Sequence, residues 1–381
     1  MNIETIFLCI FVDTYPEVNR SDGDTSTTNA QRDDIIHNHP SHPSSFQDSE
    51  TLSRTARADH EIYSDQLLTK KRGYPLWVPG PGMQLPIVYR RQGTSFGDVG
   101  IVTSNGSFDF LFNIFNPANH PINRGLVPPG FLPLSLEDLE YDIQKTMDYG
   151  PDSYLASSSV RKTNSNWFGQ ALFHPSGTTI GQKFESTATE AAILIMPDGA
   201  KTQNLLNTWQ VRQTIIRDAR VWYQYAKYTR GRDVRDGDIR VVIGFDKVNS
   251  WGIATSTCNT GQTASFMLKH DSTHVYRWDC IGGSGRVGPR KDEIDDLRVA
   301  ENDVIPQNQC VFVRTLNFTV SGKIWDDLQL ESVLRLESGS RPGHRNSPSD
   351  NRGGQREGPG GSGSGSTSSY HPVQSQGLST L

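Results

Sequence analysis

This sequence lacks most of the patterns that assign a chain to a class of enzyme or membrane protein. It has 4 cysteines among 381 residues. They lie far apart and form no C-x-x-C pair, which argues against a disulfide framework or a zinc knuckle. No apolar run approaches the roughly 18 residues of a membrane-spanning helix. No G-x-S-x-G, H-E-x-x-H, Walker A or protein-kinase pattern occurs. We therefore expect no catalytic, metal-binding or cofactor-binding residues.

The charge balance and the N-terminus both point to a soluble protein. The net charge of −5 gives no general attraction to nucleic acid or acidic lipid. The apolar run at 6–12 is short, follows Glu4 rather than a basic residue, and precedes no small-residue cleavage site. The sequence therefore predicts a cytoplasmic protein.

Two polar stretches flank the region that can form a core. Residues 1–60 contain few branched apolar side chains after the first dozen, and residues 337–381 are rich in glycine, serine and proline. Such compositions cannot bury enough surface to offset the entropy of ordering. We predict disordered tails at both ends and a single large domain over 61–336, which could divide into two lobes near the loop at 116–134.

The apolar patterns predict an α+β fold that is mainly antiparallel β-sheet with two or three packed α-helices. Several β-rich runs after residue 238 are joined by short polar turns, which favours antiparallel pairing. Asn105–Gly106 predicts a hairpin turn. A helix is expected at 204–228, with one apolar stripe formed by Leu205, Trp209, Ile216, Ala219, Tyr223 and Ala226. A second helix is expected from Ser135 to Met147, and an extended segment over 74–93.

The stretch GSGRVG at 283–288 matches the G-x-G-x-x-G spelling of a dinucleotide-binding loop. A Rossmann loop also requires a buried parallel strand before it and an apolar helix after it. Here the preceding run alternates polar residues, and the following PRKDEIDDLRV is highly charged. We interpret the stretch as a flexible glycine turn rather than a cofactor site.

Basic and histidine-rich stretches raise two further possibilities. Arginines and lysines from 217 to 235 lie beside tryptophan and tyrosine, a combination that can bind nucleic acid, but a cationic helix end with core aromatics explains it as well. The net acidic chain favours the second explanation, and no nucleic-acid partner is expected. His37, His39 and His42 have no cysteine or acidic support, so we expect no metal site there.

Five residues form our candidate recognition surface: Trp77, Asp98, Asp246, Lys247 and Trp251. Trp77 lies in a proline- and glycine-rich segment, and Trp251 follows the turn that carries Asp246 and Lys247. Asp98 lies between two glycines nearby in FGDVG, where it could bind a cation or the N–H groups of its own turn. An Asp–Lys pair at a strand end could be catalytic, although it is more often a solvated turn.

Four stretches resemble a large family of uncharacterised proteins expanded in mushroom-forming (basidiomycete) fungi. They are residues 74–115, EAAILIMPDGA, RVVIGFDKVNSWGIATST and NQCVFVRTLNF. The pattern W-x-P-x-P, G-D-V-G and G-x-D-K…S-W-G-I-A covers roughly residues 72–320. This chain departs from it at Phe245 and Thr315, where family members tend to carry cysteine and glycine. The resemblance implies a fungal intracellular protein, with relatives that continue past a glycine-rich linker, and no particular activity.

Three functions remain open from the sequence. The leading one is a non-enzymatic binding or regulatory module with a protein partner, because tryptophan, proline and glycine cluster outside any catalytic pattern. The second is a membrane-active, pore-forming effector, although Ile239–Phe245 is shorter than a bilayer strand of about 9–11 residues. The third is an enzyme with an unfamiliar site around Asp98 and Asp246.

Overall fold

The computed structural model describes residues 9–12, 57–136, 139–163, 180–270, 275–298 and 306–339. Residues 1–333 form one compact unit and residues 334–381 a second, of which only 334–339 are described. Most of both predicted tails, and the histidines at 37–42, lie outside the described residues.

The described residues form sixteen strands and a few helices, and every pairing between named strands is antiparallel, which confirms the predicted fold class. The strands are β1 (Cys9–Val12), β2 (Tyr74–Pro75), β3 (Asp98–Val102), β4 (Phe108–Asn113), β5 (Ile143–Tyr149), β6 (Ser153–Ala156), β7 (Arg161–Thr163), β8 (Ile180–Ser186), β9 (Glu190–Met196), β10 (Ala200–Leu205), β11 (Ile239–Val248), β12 (Trp251–Thr257), β13 (Ala264–His270), β14 (Tyr276–Ile281), β15 (Gly283–Gly288) and β16 (Gln309–Thr319). The helices are α1 (Asp59–Leu68), α2 (Ile87–Gln92), α3 (Trp209–Gln224), α4 (Lys291–Asp295) and α5 (Gly322–Gly339), and a π-helical turn at Tyr225–Thr229 extends α3.

Three sheets organise the larger unit. The first sheet has eight strands, with β11 and β16 paired at its centre. On the side away from β16, β11 pairs with β3 along its first half and with β10 along its second half. The second sheet has the order β15-β12-β9-β6, and the third has the order β14-β13-β8-β7. The long strand β11 therefore brings the β3–β4 hairpin and the β10–β5 pair to one edge.

Strand β9 shows how the layers are held together, because its side chains alternate between two cores. Leu194 and Met196 pack with α1, whereas Ile193 and Ile195 pack against the third sheet. A strand that is buried on both faces reads as a continuous apolar run, as EAAILIM does. The second sheet consequently lies between α1 and the third sheet.

Helix α3 covers the part of the core that belongs to the first sheet. Val211, Ile215 and Trp222 recur at helical spacing and are buried. The ring of Trp222 lies 5.9 Å from that of Phe318 on β16, in an edge-to-face arrangement. This burial fixes the helix on the first sheet.

The predicted hairpin is confirmed, with a longer turn than expected. Residues 103–107 connect β3 to β4, and Gly106 has a φ of +75°, whereas Asn105 keeps a negative φ. The amide of Gly106 donates to the carbonyl of Thr103 at 2.9 Å. A left-handed glycine after a tight turn is the usual chemistry of such a hairpin.

The helix expected over 135–147 is wrong, and the reason lies in long-range pairing. Residues 143–149 form β5, where Lys145 pairs with Gln203 of β10. The same pairing takes Leu205 into a strand, so α3 begins at Trp209 rather than at residue 204. The predicted stripe is correct at Ala219 and Tyr223, which are buried, and wrong at Trp209 and Ile216, which are exposed.

Two further local predictions are also wrong. The segment 74–93 is not wholly extended, because α2 begins directly after Pro86, where a proline suits the start of a helix. The stretch GSGRVG is strand β15 rather than a flexible turn.

Candidate functional site

A cavity of about 470 Å³ lies where the second sheet meets the β3–β4 hairpin. Its walls come from the loop at 78–85, from residues 103–110 of the hairpin, and from residues 286–297. Trp251 and Gln309 also line it, together with Arg90 and Arg232. We call this cavity the arginine cleft. Its volume falls within the range of small-molecule sites.

The loop at 78–85 is held in place by its backbone. Val78 donates its N–H to the carbonyl of Gly106 at 3.1 Å, and the carbonyl of Pro79 accepts from Cys310 at 2.9 Å. Prolines at 79, 81 and 86 restrict φ along the loop. One wall of the arginine cleft is therefore tied to both the hairpin and the start of β16.

The glycines of β15 explain how this strand approaches its neighbours. A Cβ atom on Gly285 would lie 2.4 Å from Cγ of Trp278, and one on Gly288 would lie 2.4 Å from Cζ2 of Trp251. Any side chain at these positions collides with an indole ring. Close packing on tryptophans, rather than phosphate binding, thus explains the second and third glycines of the G-x-G-x-x-G stretch.

Four arginines line the arginine cleft, and three of them are paired with carboxylates. Arg90 pairs with Asp296. Arg232 binds Asp109 with two N–H groups, the longer bond measuring 3.2 Å. Arg290 lies 3.6 Å from Glu293. The first two ion pairs join separate walls of the cleft, and the third lies within the turn at 290–293.

Arg286 differs from these three. Its guanidinium lies over the ring of Trp77, 5.2 Å from the centroid, and Nη1 donates to the Trp77 carbonyl at 3.4 Å. Within the described residues it has no ion pair. Burial lowers the pKa of Arg286 and repulsion from Arg290 lowers it further, while Glu293 acts in the opposite direction. The arginine cleft thus holds one positive charge that the described carboxylates do not neutralise.

Of the two tryptophans of the candidate surface, Trp251 lines this cleft and Trp77 lies beneath Arg286. Trp251 is 5% exposed, lines the cavity, and donates from Nε1 to Oε1 of Gln309 at 3.0 Å. Trp77 is 8% exposed and packs edge-on against Tyr63 with ring centroids 5.5 Å apart. Both side chains are buried, so the prediction that they lie on a free surface is wrong. Their part in recognition stays a prediction.

Asp246 is also buried, in a network of arginines. Its carboxylate accepts from Nε of Arg72 at 3.1 Å and from Nη1 of Arg314 at 2.9 Å. Arg72 also pairs with Asp148 at 2.8 Å, and Arg314 donates to Asn204 and to the Gln203 carbonyl. The prediction that Asp246 lies at the surface is therefore wrong. Its partners are arginines from distant segments rather than the neighbouring lysine.

Asp98 is the centre of a second buried network. Its carboxylate accepts from the Ser95 amide at 2.7 Å, from Nδ2 of Asn113 at 2.7 Å and from the Tyr89 hydroxyl at 2.8 Å. Burial raises the pKa of Asp98 to about 6, although these hydrogen bonds oppose the shift. Of the two alternatives, binding to an N–H group of its own turn is confirmed, and the expected exposure is wrong.

Lys247 is buried beside this network without a carboxylate partner in the described residues. Nζ donates to the carbonyl of Gln92 at 2.7 Å and lies 4.3 Å from the centroid of the Phe245 ring. Burial lowers the pKa of Lys247 to about 8. Lys247 thus holds the end of α2 against the first sheet instead of forming a surface.

The other sequence candidates take structural places. Arg230 donates to the Leu111 carbonyl at 2.7 Å, and Arg217 pairs with its neighbour Asp218 at 2.7 Å. In the described residues no group of three or more histidine, cysteine, aspartate or glutamate side chains could hold a metal ion. Cys258, Cys280 and Cys310 are free thiols. Among the described helices, none is both long and apolar enough to cross a membrane.

Sequence reasoning did not single out Arg286, Arg90 or Arg290. The sequence signal for Arg286 is its position inside GSGRVG, but the glycine spacing of that stretch suggests a phosphate-binding loop and gives the arginine no role. Pairing of β15 with β12 sets Arg286 opposite Ile253, and this register places it beside Trp77.

Comparisons with known proteins add little to this geometry. No family model matches the chain, and no curated protein matches it. A solved structure that does match, a cryo-EM structure of the gasdermin A3 membrane pore, has 5% identity and a TM-score of 0.20 over 69% of this chain and 89% of that one. A TM-score of this size does not indicate a shared fold.

Proposed function

We propose that this chain is a non-enzymatic binding module and that the arginine cleft is its ligand site. We also propose that it is an intracellular member of the basidiomycete family whose motifs it resembles. The observation that carries the first proposal is a braced cavity of about 470 Å³ that contains one guanidinium without a carboxylate partner in the described residues.

Two features of the cleft favour holding a ligand. Two ion pairs, Arg90–Asp296 and Arg232–Asp109, and the Trp251–Gln309 hydrogen bond hold its walls together before any ligand arrives. A preformed site loses little entropy on binding. In addition, guanidinium groups stay protonated at neutral pH, so the cleft's arginines suit binding and orientation more than proton transfer.

The proposal is tested by filling the cleft. Met83 lines the cavity and is 55% exposed, so Met83→Trp should occupy part of its volume without disturbing the core. Met147 is 74% exposed and lies outside the cavity lining, and Met147→Trp is the matched control. The measurement is native mass spectrometry of the full chain, purified gently from its own cells.

We expect a bound mass, of a small molecule or of a protein partner with a group in the cleft, on the native chain and on the Met147→Trp variant. It should be lost from the Met83→Trp variant. A bare chain in all three preparations, or the same bound mass in all three, would contradict a ligand site in the arginine cleft.

A further inference from the structure

We infer that the arginine cleft takes a small molecule with a carboxylate or phosphate group, and that Arg286 contacts this group. The inference rests on the proposed function of the cleft and goes beyond it by naming the chemical class of the ligand.

The hydrogen-bonding capacity of Arg286 is the first step. A guanidinium has five N–H donors in a planar fork. In the described residues Arg286 uses one of them, in the 3.4 Å contact with the Trp77 carbonyl. The remaining donors suit the two oxygens of a carboxylate or phosphate, which accept from a guanidinium in a bidentate arrangement.

The second step is that Arg286 is held in position. On one side of β15 its register with Ile253 is set by the pairing with β12. On the other side its carbonyl accepts from Nε1 of Trp278 at 2.9 Å. The ring of Trp77 lies under the guanidinium and supplies a flat surface against which the fork is ordered. A donor group fixed on strands binds more precisely than one on a loop.

The third step concerns the charge and the surface around the guanidinium. Arg290 adds a second positive charge near Arg286, partly offset by Glu293. An anion bound near the Arg286 and Arg290 guanidinium groups therefore relieves a repulsion that exists in the free protein. Met83, Phe108 and Val287 line the same cavity and offer apolar contact to the rest of the ligand. The ligand thus combines an anionic end with an apolar body.

The test uses three related probes on the full chain: benzoate, phenyl phosphate, and benzamide as the neutral isostere of benzoate. Dissociation constants are measured by ligand-observed NMR titration. The variants are Arg286→Gln and, as the matched control, Arg277→Gln, which removes an exposed arginine on the adjacent strand β14. Met83→Trp reports separately on whether a probe sits in the cleft.

We expect Arg286→Gln to weaken the binding of at least one anion about ten- to a hundredfold, because charge-assisted hydrogen bonds to the anion are lost. Benzamide binding, and anion binding by the Arg277→Gln variant, should change less than about twofold. The anion that binds more tightly assigns the group as carboxylate or phosphate. The thermal midpoint of the Arg286→Gln variant should stay close to that of the native chain, because the side chain is exposed.

Two results overturn the inference, and they are distinguishable. If Met83→Trp abolishes binding but Arg286→Gln leaves every dissociation constant unchanged, the cleft binds ligands and the anionic class is wrong. If no probe binds in a way that Met83→Trp alters, the inference fails together with the proposed function.

Discussion

Asp246 in the first sheet and Arg286 in the arginine cleft each carry a charge, but their surroundings differ. Asp246 is completely buried and accepts from Arg72 and Arg314, whose remaining donors reach Asp148, Asn204 and backbone carbonyls. Arg286 is exposed in a cavity and uses one donor. A saturated charge can only hold the fold, whereas an unsaturated one at a cavity can bind. This difference is why we propose the arginine cleft, rather than the buried carboxylates, as the ligand site.

The largest effect should come from breaking the saturated site. Asp246→Asn keeps the shape of the side chain but leaves two guanidinium groups without their shared charge. Removing one partner of a buried ion pair costs about 3–5 kcal/mol, and we expect a loss of that size in the free energy of unfolding. Urea denaturation measures it.

The control for this variant is Asp279→Asn, because Asp279 pairs with Lys269 at 2.8 Å on an exposed surface. An exposed pair contributes little to stability because water and salt screen it, so we expect a much smaller loss. Equal losses for the two aspartates would mean that the Asp246 network is no more important to the fold than a surface pair.

A smaller effect should come from Lys247, which is buried without a carboxylate partner in the described residues. It should appear as a dependence of the free energy of unfolding on pH. The pKa of Lys247 falls to about 8 in the folded chain, below its ordinary value of 10.5. Between these two pH values the unfolded chain binds the proton and the folded chain does not. The contribution of Lys247 to the free energy of unfolding should therefore rise from pH 8 to about 10.5, by about 3 kcal/mol.

Lys247→Met removes this titration, so its stability curve should lack that rise when compared with the native chain over the same range. Urea denaturation at intervals of pH supplies both curves. Parallel curves would show that Lys247 keeps an ordinary pKa, and hence that its burial costs little.

The smallest effect should come from the strand that carries Arg286. Gly285→Ala forces a Cβ against the ring of Trp278 and should cost about 1–3 kcal/mol of unfolding free energy by overpacking. Gly150→Ala is the control, because nothing lies within 4 Å of its added Cβ and its φ is not positive. Calorimetric midpoints compare the two. An unchanged midpoint for Gly285→Ala would mean that β15 yields easily and does not hold Arg286 rigidly.

Local patterns were sufficient for much of the fold. The β-rich runs predicted after residue 238 form β11, β12, β13, β14 and β16, and Asn105–Gly106 lies in the turn of a hairpin. These predictions succeeded because apolar alternation and glycine chemistry act over a few residues. The helix predicted at 135–147 failed because β10 supplies backbone partners to β5, and no local pattern contains β10.

The site was predicted less well than the fold. Trp251 lines the cleft and Trp77 lies beneath Arg286, but Asp98, Asp246 and Lys247 belong to buried networks. A carboxylate beside glycines or at a strand end has the same local sequence whether it meets water or arginine. Arg72 lies 174 residues from Asp246, and that separation hides the partnership from any short window.

By itself, the sequence determined that most runs after residue 238 form strands and that Asn105–Gly106 lies in a hairpin turn. Only the tertiary structure decided why Gly285 and Gly288 admit no side chain, which charges are neutralised and which remain open. The physical reason is that strand propensity and turn chemistry depend on a residue and its near neighbours. The state of a charge depends on burial and on partners that distant segments bring, as with Arg72 and Arg314 at Asp246 and Trp77 beneath Arg286.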